Sequence, residues 1–386
     1  MMQLIYVDPQ SYHGLAKYDV AYLRGLMNAE FAGEISFFCS DLLDQQVPAG
    51  VTVCRVFHYN RVRWLPRKVL SYALSMLRIF AAGFRRTGSI FHFQWVKFPP
   101  VDLLVIVLLR KVTGARVVLT AHNVVPHGED SGRHRMLGRV YRAVDRIVVH
   151  NADTAAEISR RFSVDPGKMC VLRHGLINLG SEGTPRHDVR LRRFIASRDI
   201  CFVFFGRGSR YKGLDMLLDA WPRVVAATNV DAGLIVIGAV DPDLKAVANR
   251  AADDFPASLL LIDERVPEAD LYLAATSSDV VILPHRKISQ SGVLLSVLGL
   301  AIPVLVSPLA GLREPLDLAT VGWSFDGTEE GLARQLGMLI DNPGVLANVK
   351  NDRSAWAAIE QAYDWNTIAA EGSALYEEML ADSTRG

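Results

Sequence analysis

The sequence predicts an α/β chain of two doubly wound domains, each built on a parallel sheet. Three observations carry this. Short apolar runs alternate with longer helical patterns along most of the chain. Those runs are apolar throughout rather than alternating, which is the pattern of strands covered on both faces. A stretch rich in Gly, Ser, Pro and charge, residues 179–190, separates two such series, and 386 residues exceed the needs of one ordinary domain. The domains then divide as 1–180 and 181–365.

In the first series, the apolar run at 4–7 is a strand, and a helix follows over 15–28. Strands at 34–39 and 51–57 come next, rich in Val, Ile and Phe. Pro66 suits a first helical position, so a helix is expected over 66–86. A strand at 90–93, an apolar helix over 101–113 and a strand at 116–120 follow. A helix over 132–144, a strand at 146–149, a helix over 154–162 and a strand at 169–172 close the series. The second series places strands at 200–205, 234–237, 259–262, 280–283 and 304–307. Helices over 213–226, 243–252, 268–277 and 292–300 lie between them, and 329–380 reads as largely helical.

A net charge of +1 argues against binding nucleic acid through bulk electrostatics. Cys39, Cys54, Cys170 and Cys201 have no metal or disulfide spacing and read as free thiols in a reducing compartment. MMQLIYVDP reads as a strand and not a signal peptide. The most apolar run, 101–109, is too short to span a bilayer and contains Asp102. A cytoplasmic location is expected.

In doubly wound sheets ligands gather outside the carboxyl ends of the strands. After the first strand comes DPQSYHGLAKY, where Gly14 allows close backbone approach at a helix start. The strand at 116–120 runs into TAHNVVPHGED, a cluster of two histidines, Asn123 and two acids; His122, Glu129 or Asp130 could deprotonate a hydroxyl. VLRHGLIN follows the strand at 169–172 and is a weaker signal. The second series opens with CFVFFGRGSRYKGLD, where glycines expose backbone and Arg207 and Lys212 supply charge, so a diphosphate is the natural guest. The spacing is neither a P-loop nor a dinucleotide fingerprint. The loop 263–266, which includes Glu264 and Val266, could meet a nucleobase through its backbone. Ser291 and Gly292 open a helix after a strand end carrying His285, Arg286 and Lys287, a second anion-binding arrangement.

Taken in order, HGLAKY, TAHN, RHG, FGRGSRYKGLD and SGVLLSVLGLAIPVLVSPLAGLRE resemble the GT-B glycosyltransferases, closest to family 4 and related bacterial exopolysaccharide and glycolipid enzymes. The resemblance spans nearly the whole chain. It implies two Rossmann-like domains facing a central cleft, with residues 366–386 as a helix packing back on the first domain. It implies a nucleotide-diphosphate sugar held by Gly14, Arg207, Lys212, Glu264, Val266, Ser291, Gly292 and Glu314. His122, with Glu129 and Asp130, would be catalytic, and His13, Asn123 and His127 would lie on the acceptor side. No metal or cofactor is implied beyond the donor itself. The family's two glutamates, spaced E-x7-E, are replaced by Ile288 and Ser296, and Ala301 stands where glycine is usual. That departure favours an inverting enzyme with an acceptor-side base.

Residues 61–86 form a basic, aromatic amphipathic segment, with Val69, Ala73, Met76, Phe80 and Phe84 on one face. Such a helix suits an anionic membrane surface. Since the resemblance implies a saccharide acceptor on a polyprenyl diphosphate carrier, peripheral contact with the cytoplasmic face of the inner membrane is expected. The competing readings are a transferase acting on a soluble small molecule and an inactive GT-B protein that binds glycan or nucleotide.

Overall fold

The computed structural model describes residues 2–12, 14–84, 88–124 and 131–381. The chain forms two compact units, one of residues 1–175 with 363–386, the other of residues 176–362.

The first unit holds a seven-stranded sheet of β1 (Met2–Asp8), β2 (Gly33–Ser40), β3 (Val51–Phe57), β4 (Ser89–Phe93), β5 (Arg116–Thr120), β6 (Arg146–Val149) and β7 (Met169–Val171). All are parallel, in the order β3-β2-β1-β4-β5-β6-β7. The order reverses between β1 and β4, which opens a crevice at their carboxyl ends. The second unit repeats the plan with β8 (Ile200–Phe205), β9 (Ala232–Ile237), β10 (Leu259–Ile262), β11 (Val280–Leu283), β12 (Val304–Val306) and β13 (Gly322–Ser324). Its six strands run β10-β9-β8-β11-β12-β13, also parallel, with the reversal between β8 and β11.

The central strands are apolar because helices bury both faces: Leu4, Ile5, Tyr6 and Val7 are all fully buried. Ile5 and Val7 join one core, and Leu4 and Tyr6 the other, as the two-residue side-chain period requires. The helix Trp365–Ala381 completes the second of these cores against the helix Gly14–Asn28. A Cβ on Gly25 would come within 2.4 Å of Trp365 O, and one on Gly175 within 2.4 Å of the Trp365 ring, so both helix and loop need glycine there.

Several details differ from the sequence expectations. The unit boundaries fall at 175/176 and 362/363 rather than 180/181 and 365/366. Residues just past the first boundary bond into the second unit, Ile177 N to Leu295 O and Gly180 N to Glu268 Oε2, while Arg173 lies over the Tyr363 ring. Residues 179–190 are not all linker, since a helix Asp188–Ala196 starts inside them. The three-residue β13 and the helix Ala310–Leu318 had no periodicity long enough to read. The helix expected over 66–86 is Leu65–Ala82, and it buries Tyr72, Ser75, Met76 and Ile79. It is apolar on two sides. Leu70, Leu74, Leu77 and the following Phe84 stand more than half exposed, whereas Val69, Ala73 and Phe80 are half-buried. Periodicity alone could not say which side packs.

Candidate functional site

In the second unit, the turn after β8 is shaped by glycines. Gly206 has φ +101° and Gly213 φ +74°, and a Cβ on Gly213 would sit 1.8 Å from Pro284 O. No other residue fits there. This locks the turn against the end of β11 and bares its backbone. Lys212 lies between, its Nζ 3.0 Å from where a Gly206 Cβ would be. Burial, then the nearby Arg207 charge, holds the Lys212 pKa below the ordinary lysine value. Buried beside it, His285 is neutral, its pKa pushed down to about 4 by burial and then by Lys212.

The three arginines here are paired. Arg207 Nε donates to Asp241 at 2.5 Å, its side chain otherwise exposed. Arg210 bonds Asp243 and Asp215, and Arg286 bonds Asp215. Lys212 forms no ion pair among the described residues. A half-buried ammonium without a carboxylate is costly unless an anion offsets it. Ser291 caps its helix by accepting from Leu294 N, and Gly292 is exposed.

Other expected donor residues are placed less directly. Glu264 is held by His187 at 2.6 Å and Arg186 at 3.2 Å. Val266 and Glu314 are half-buried, the latter in the helix Ala310–Leu318. Ser296 Oγ turns back to Gly292 O, so neither it nor Ile288 can reproduce a carboxylate contact. Gly14 starts its helix in the first unit with open space where a side chain would be.

In the first unit the strand ends carry histidines. His92 lies in β4, and His122, His150 and His174 follow β5, β6 and β7. His150 Nδ1 donates to Leu172 O at 3.0 Å, which leaves its Nε2 to accept from His122 Nδ1, also at 3.0 Å. His122 Nε2 is then an acceptor. Gln94 Oε1 lies 3.2 Å away and the Gln94 NH2 is buried without a partner among the described residues; turning the amide over would let that NH2 donate to His122 Nε2. The His122 ring stacks on Trp95 with centroids 4.7 Å apart and meets Tyr18 edge-on. Burial, then His150, holds the His122 pKa well below its ordinary value. His122 is therefore neutral at pH 7, with both ring nitrogens engaged. Asn123 lies beside it on a small cavity of about 30 Å³, with its carbonyl near Tyr141 OH. His13, His127, Glu129 and Asp130 lie outside the described residues.

Sequence reasoning missed the rest of this cluster. His92 bridges Thr120 and Tyr376, both at 2.7 Å, and Tyr376 bonds Tyr22 at 2.8 Å. Asp8, at the end of β1, faces Asp19 of the next helix, which accepts from Tyr6 OH. Burial raises both carboxyl pKa values; Asp8 raises that of Asp19 further, whereas the hydrogen bond from Asp19 favours the ionised form of Asp8. A histidine at or just after four successive strands was the signal available for the cluster. Among the described residues no group of side chains fits a metal ion, and no helix is long and apolar enough to cross a membrane.

Comparison with known proteins accords with this layout. Residues 34–176 match the family Glycosyltransferase Family 4, and residues 199–342 match Glycosyl transferases group 1. The chain is 26% identical over 263 residues to a D-inositol 3-phosphate glycosyltransferase of Streptomyces scabiei, covering 65% of this chain and 58% of that protein. It is 27% identical over 224 residues to a GDP-mannose:glycolipid 4-beta-D-mannosyltransferase of Xanthomonas campestris pv. campestris, covering 56% of each. The match thus spans less than two thirds of the length of these relatives. Among solved structures, the Anabaena protein HepE in complex with UDP superposes with a TM-score of 0.67, at 14% identity, over 99% of this chain and 100% of that one.

Proposed function

Because the chain belongs to the GT-B glycosyltransferases of the family 4 type, we propose that it moves a sugar from a nucleotide-diphosphate sugar to a saccharide carried on a lipid, in exopolysaccharide or glycolipid assembly. The observation that carries this is the half-buried Lys212, without a carboxylate partner among the described residues, in the glycine-bared turn after β8. The second unit holds the donor there, with Arg207 as a second cation and Ser291 and Gly292 adding backbone amides. An acceptor hydroxyl oxygen attacks the anomeric carbon, and the bond from that carbon to the diphosphate oxygen breaks. The electron pair leaves on the diphosphate, where Lys212 and Arg207 offset the growing charge. The hydroxyl proton goes to a base on the first unit, Glu129 or Asp130. His122 positions the acceptor rather than taking its proton, because its ring is buried with both nitrogens within hydrogen-bond distance of Gln94 and His150. The absence of the glutamate pair at 288 and 296 supports inversion, as does the β-linkage in the name of the Xanthomonas relative; the glycolipid in that name supports a lipid-borne acceptor.

The exposed stripe Leu70, Leu74, Leu77 and Phe84, flanked by Arg67 and Arg78, supports contact with an anionic membrane surface. The test of the donor site is thermal shift of the protein against UDP, GDP, ADP and dTDP. One nucleotide should stabilise it, and Lys212→Ala should lose the shift. If none stabilises it, the transferase reading fails, and the reading as an inactive glycan-binding relative, which the missing glutamates favour, takes its place.

A further inference from the structure

A helix rich in arginine lies along the edge of the second unit's sheet. The helix is Asp188–Ala196, and the edge strand is β10. Arg190 Nη2 donates to Leu261 O at 3.1 Å and ties the two together. Helix and strand border a cavity of about 880 Å³, a size that suits a small molecule. Val189, Phe194 and Pro256 give it an apolar wall, and Arg186, Arg190, Arg193 and Arg198 give it charge. Gly233 in β9 makes room for part of this lining. A Cβ there would come within 2.8 Å of Arg198 Cγ and 2.9 Å of Phe194 Cε1. The cavity is not the turn that carries Lys212. Arg198 precedes β8 and that turn follows it, so six residues of strand, roughly 20 Å, lie between.

The guanidinium groups outnumber their counter-charges. Among the described residues Asp188 is the one carboxylate that lines the cavity, and it accepts from Arg192 at 2.7 Å. Arg186 is held by Glu264 at 3.2 Å. Arg190 has the neutral carbonyl of Leu261 and no carboxylate among the described residues. Arg193 makes no hydrogen bond or ion pair among them. Arg198 lies over the Phe194 ring at 5.2 Å, and its Nε is buried without a partner. Its ion pair with Asp231 is 3.7 Å long, beyond hydrogen-bond reach. Buried donors are nearly always bonded, so the exception needs a reason.

Arg190 and Arg193 stand three residues apart on one helix, which puts their Cβ atoms about 5–6 Å from each other. Each guanidinium is a fork that takes two acceptor oxygens. A carboxylate has two oxygens and one charge, and a single fork uses both. A phosphate ester keeps three free oxygens and about two charges at neutral pH, so it can bridge two forks. The apolar wall beside them suits a ligand with a body as well as a head.

We propose that this cavity binds a phosphomonoester, with the phosphate on Arg190 and Arg193, Arg198 as the third cation, and an apolar or ring-shaped body on Phe194 and Pro256. The site goes beyond the transfer reaction and does not rest on it.

Phenyl phosphate, titrated into the full chain, tests it by calorimetry. Saturable binding is expected, with inorganic phosphate and benzoate each at least tenfold weaker. An Arg190→Glu/Arg193→Glu variant should lose tenfold or more; both side chains are exposed, and melting curves establish that the variant is folded. Phe194→Ala should weaken phenyl phosphate at least threefold and leave inorganic phosphate unchanged. Lys212→Ala should bind phenyl phosphate as the wild type does. The proposal is overturned by equal affinity of the arginine variant and the wild type, or by loss of binding in Lys212→Ala, which would put the phosphate in the turn after β8. Benzoate bound as tightly as phenyl phosphate overturns it too, as does binding of heparin without binding of phenyl phosphate. The nucleotide thermal shift, read on the same proteins, separates the two ideas. If it persists while phenyl phosphate fails to bind, the cavity is wrong and the transferase reading stands.

Discussion

The two units share a strand order but fill the carboxyl ends of their sheets in opposite ways. In the first, side chains close the space: histidines and tyrosines bond one another, with a buried carboxyl pair beside them. In the second, glycines clear it, and Lys212 has no carboxylate partner among the described residues. One end is pre-organised by its own polar network. On the proposed reading, the other is completed by the diphosphate of the donor. Stability and ligand dependence should therefore separate by unit.

The largest effect tests the second unit. Lys212→Ala should lower transfer by roughly 10²–10³-fold, the range for removing one donor to developing negative charge, with little change in melting temperature. Activity assayed with the nucleotide sugar that gives a thermal shift checks this. An unchanged rate would remove the basis of the comparison.

Gly213→Ala comes next and acts on folding. The added Cβ meets Pro284 O at 1.8 Å at a positive φ, so a loss of about 4 kcal/mol or more is expected in denaturant melts.

The third effect sharpens the contrast. Burial pushes His92 and His174 down to about 3 and His150 to about 4. Their folded pKa values lie below the unfolded one, so the stability they contribute is present above about pH 6.5 and is lost as pH falls. At pH 5 the loss is roughly 1–2 kcal/mol each. The carboxyl pair has the opposite sign, because its raised pKa values make the fold cheaper as pH drops from 7. More histidines than acids are involved, so the first unit should melt earlier at pH 5 than at pH 7, and the second should move less. Asp19→Asn should raise stability at pH 7 and steepen the fall with acid. Calorimetric scans with and without nucleotide would resolve the two transitions.

The smallest effect is Ala301→Gly. Ala301 holds φ +53°, and glycine there should add up to about 1 kcal/mol, visible as a small rise in denaturant midpoint.

How far the sequence could be read follows the same division. The strands 116–120, 146–149, 200–205, 259–262 and 280–283 agree with the structure end to end, because a strand covered on both faces is apolar along most of its length; the edge strand 51–57 also agrees, although much of it is exposed. The turn after β8 was legible because glycine and cations are local signals. Asp8, Asp19, His92 and Tyr376 were not, because their roles arise only when distant elements meet; Tyr22 and Tyr376 are 354 residues apart. The outer stripe of the helix Leu65–Ala82 was hidden for another reason. A helix apolar on two sides has no sequence mark for the side left uncovered.

The chain passes from the first unit to the second after Gly175 and returns before Tyr363. On a ribosome, then, the domain that is begun first is finished last. Until Trp365–Ala381 is synthesised, Gly175 has no indole to close over it, and the hydroxyl of Tyr22 and the ring of His92 lack Tyr376. The second unit, continuous in the chain, can fold meanwhile. The nascent protein should complete the second unit, with its proposed donor site, before the first, and a chaperone waiting for it should hold the amino-terminal half.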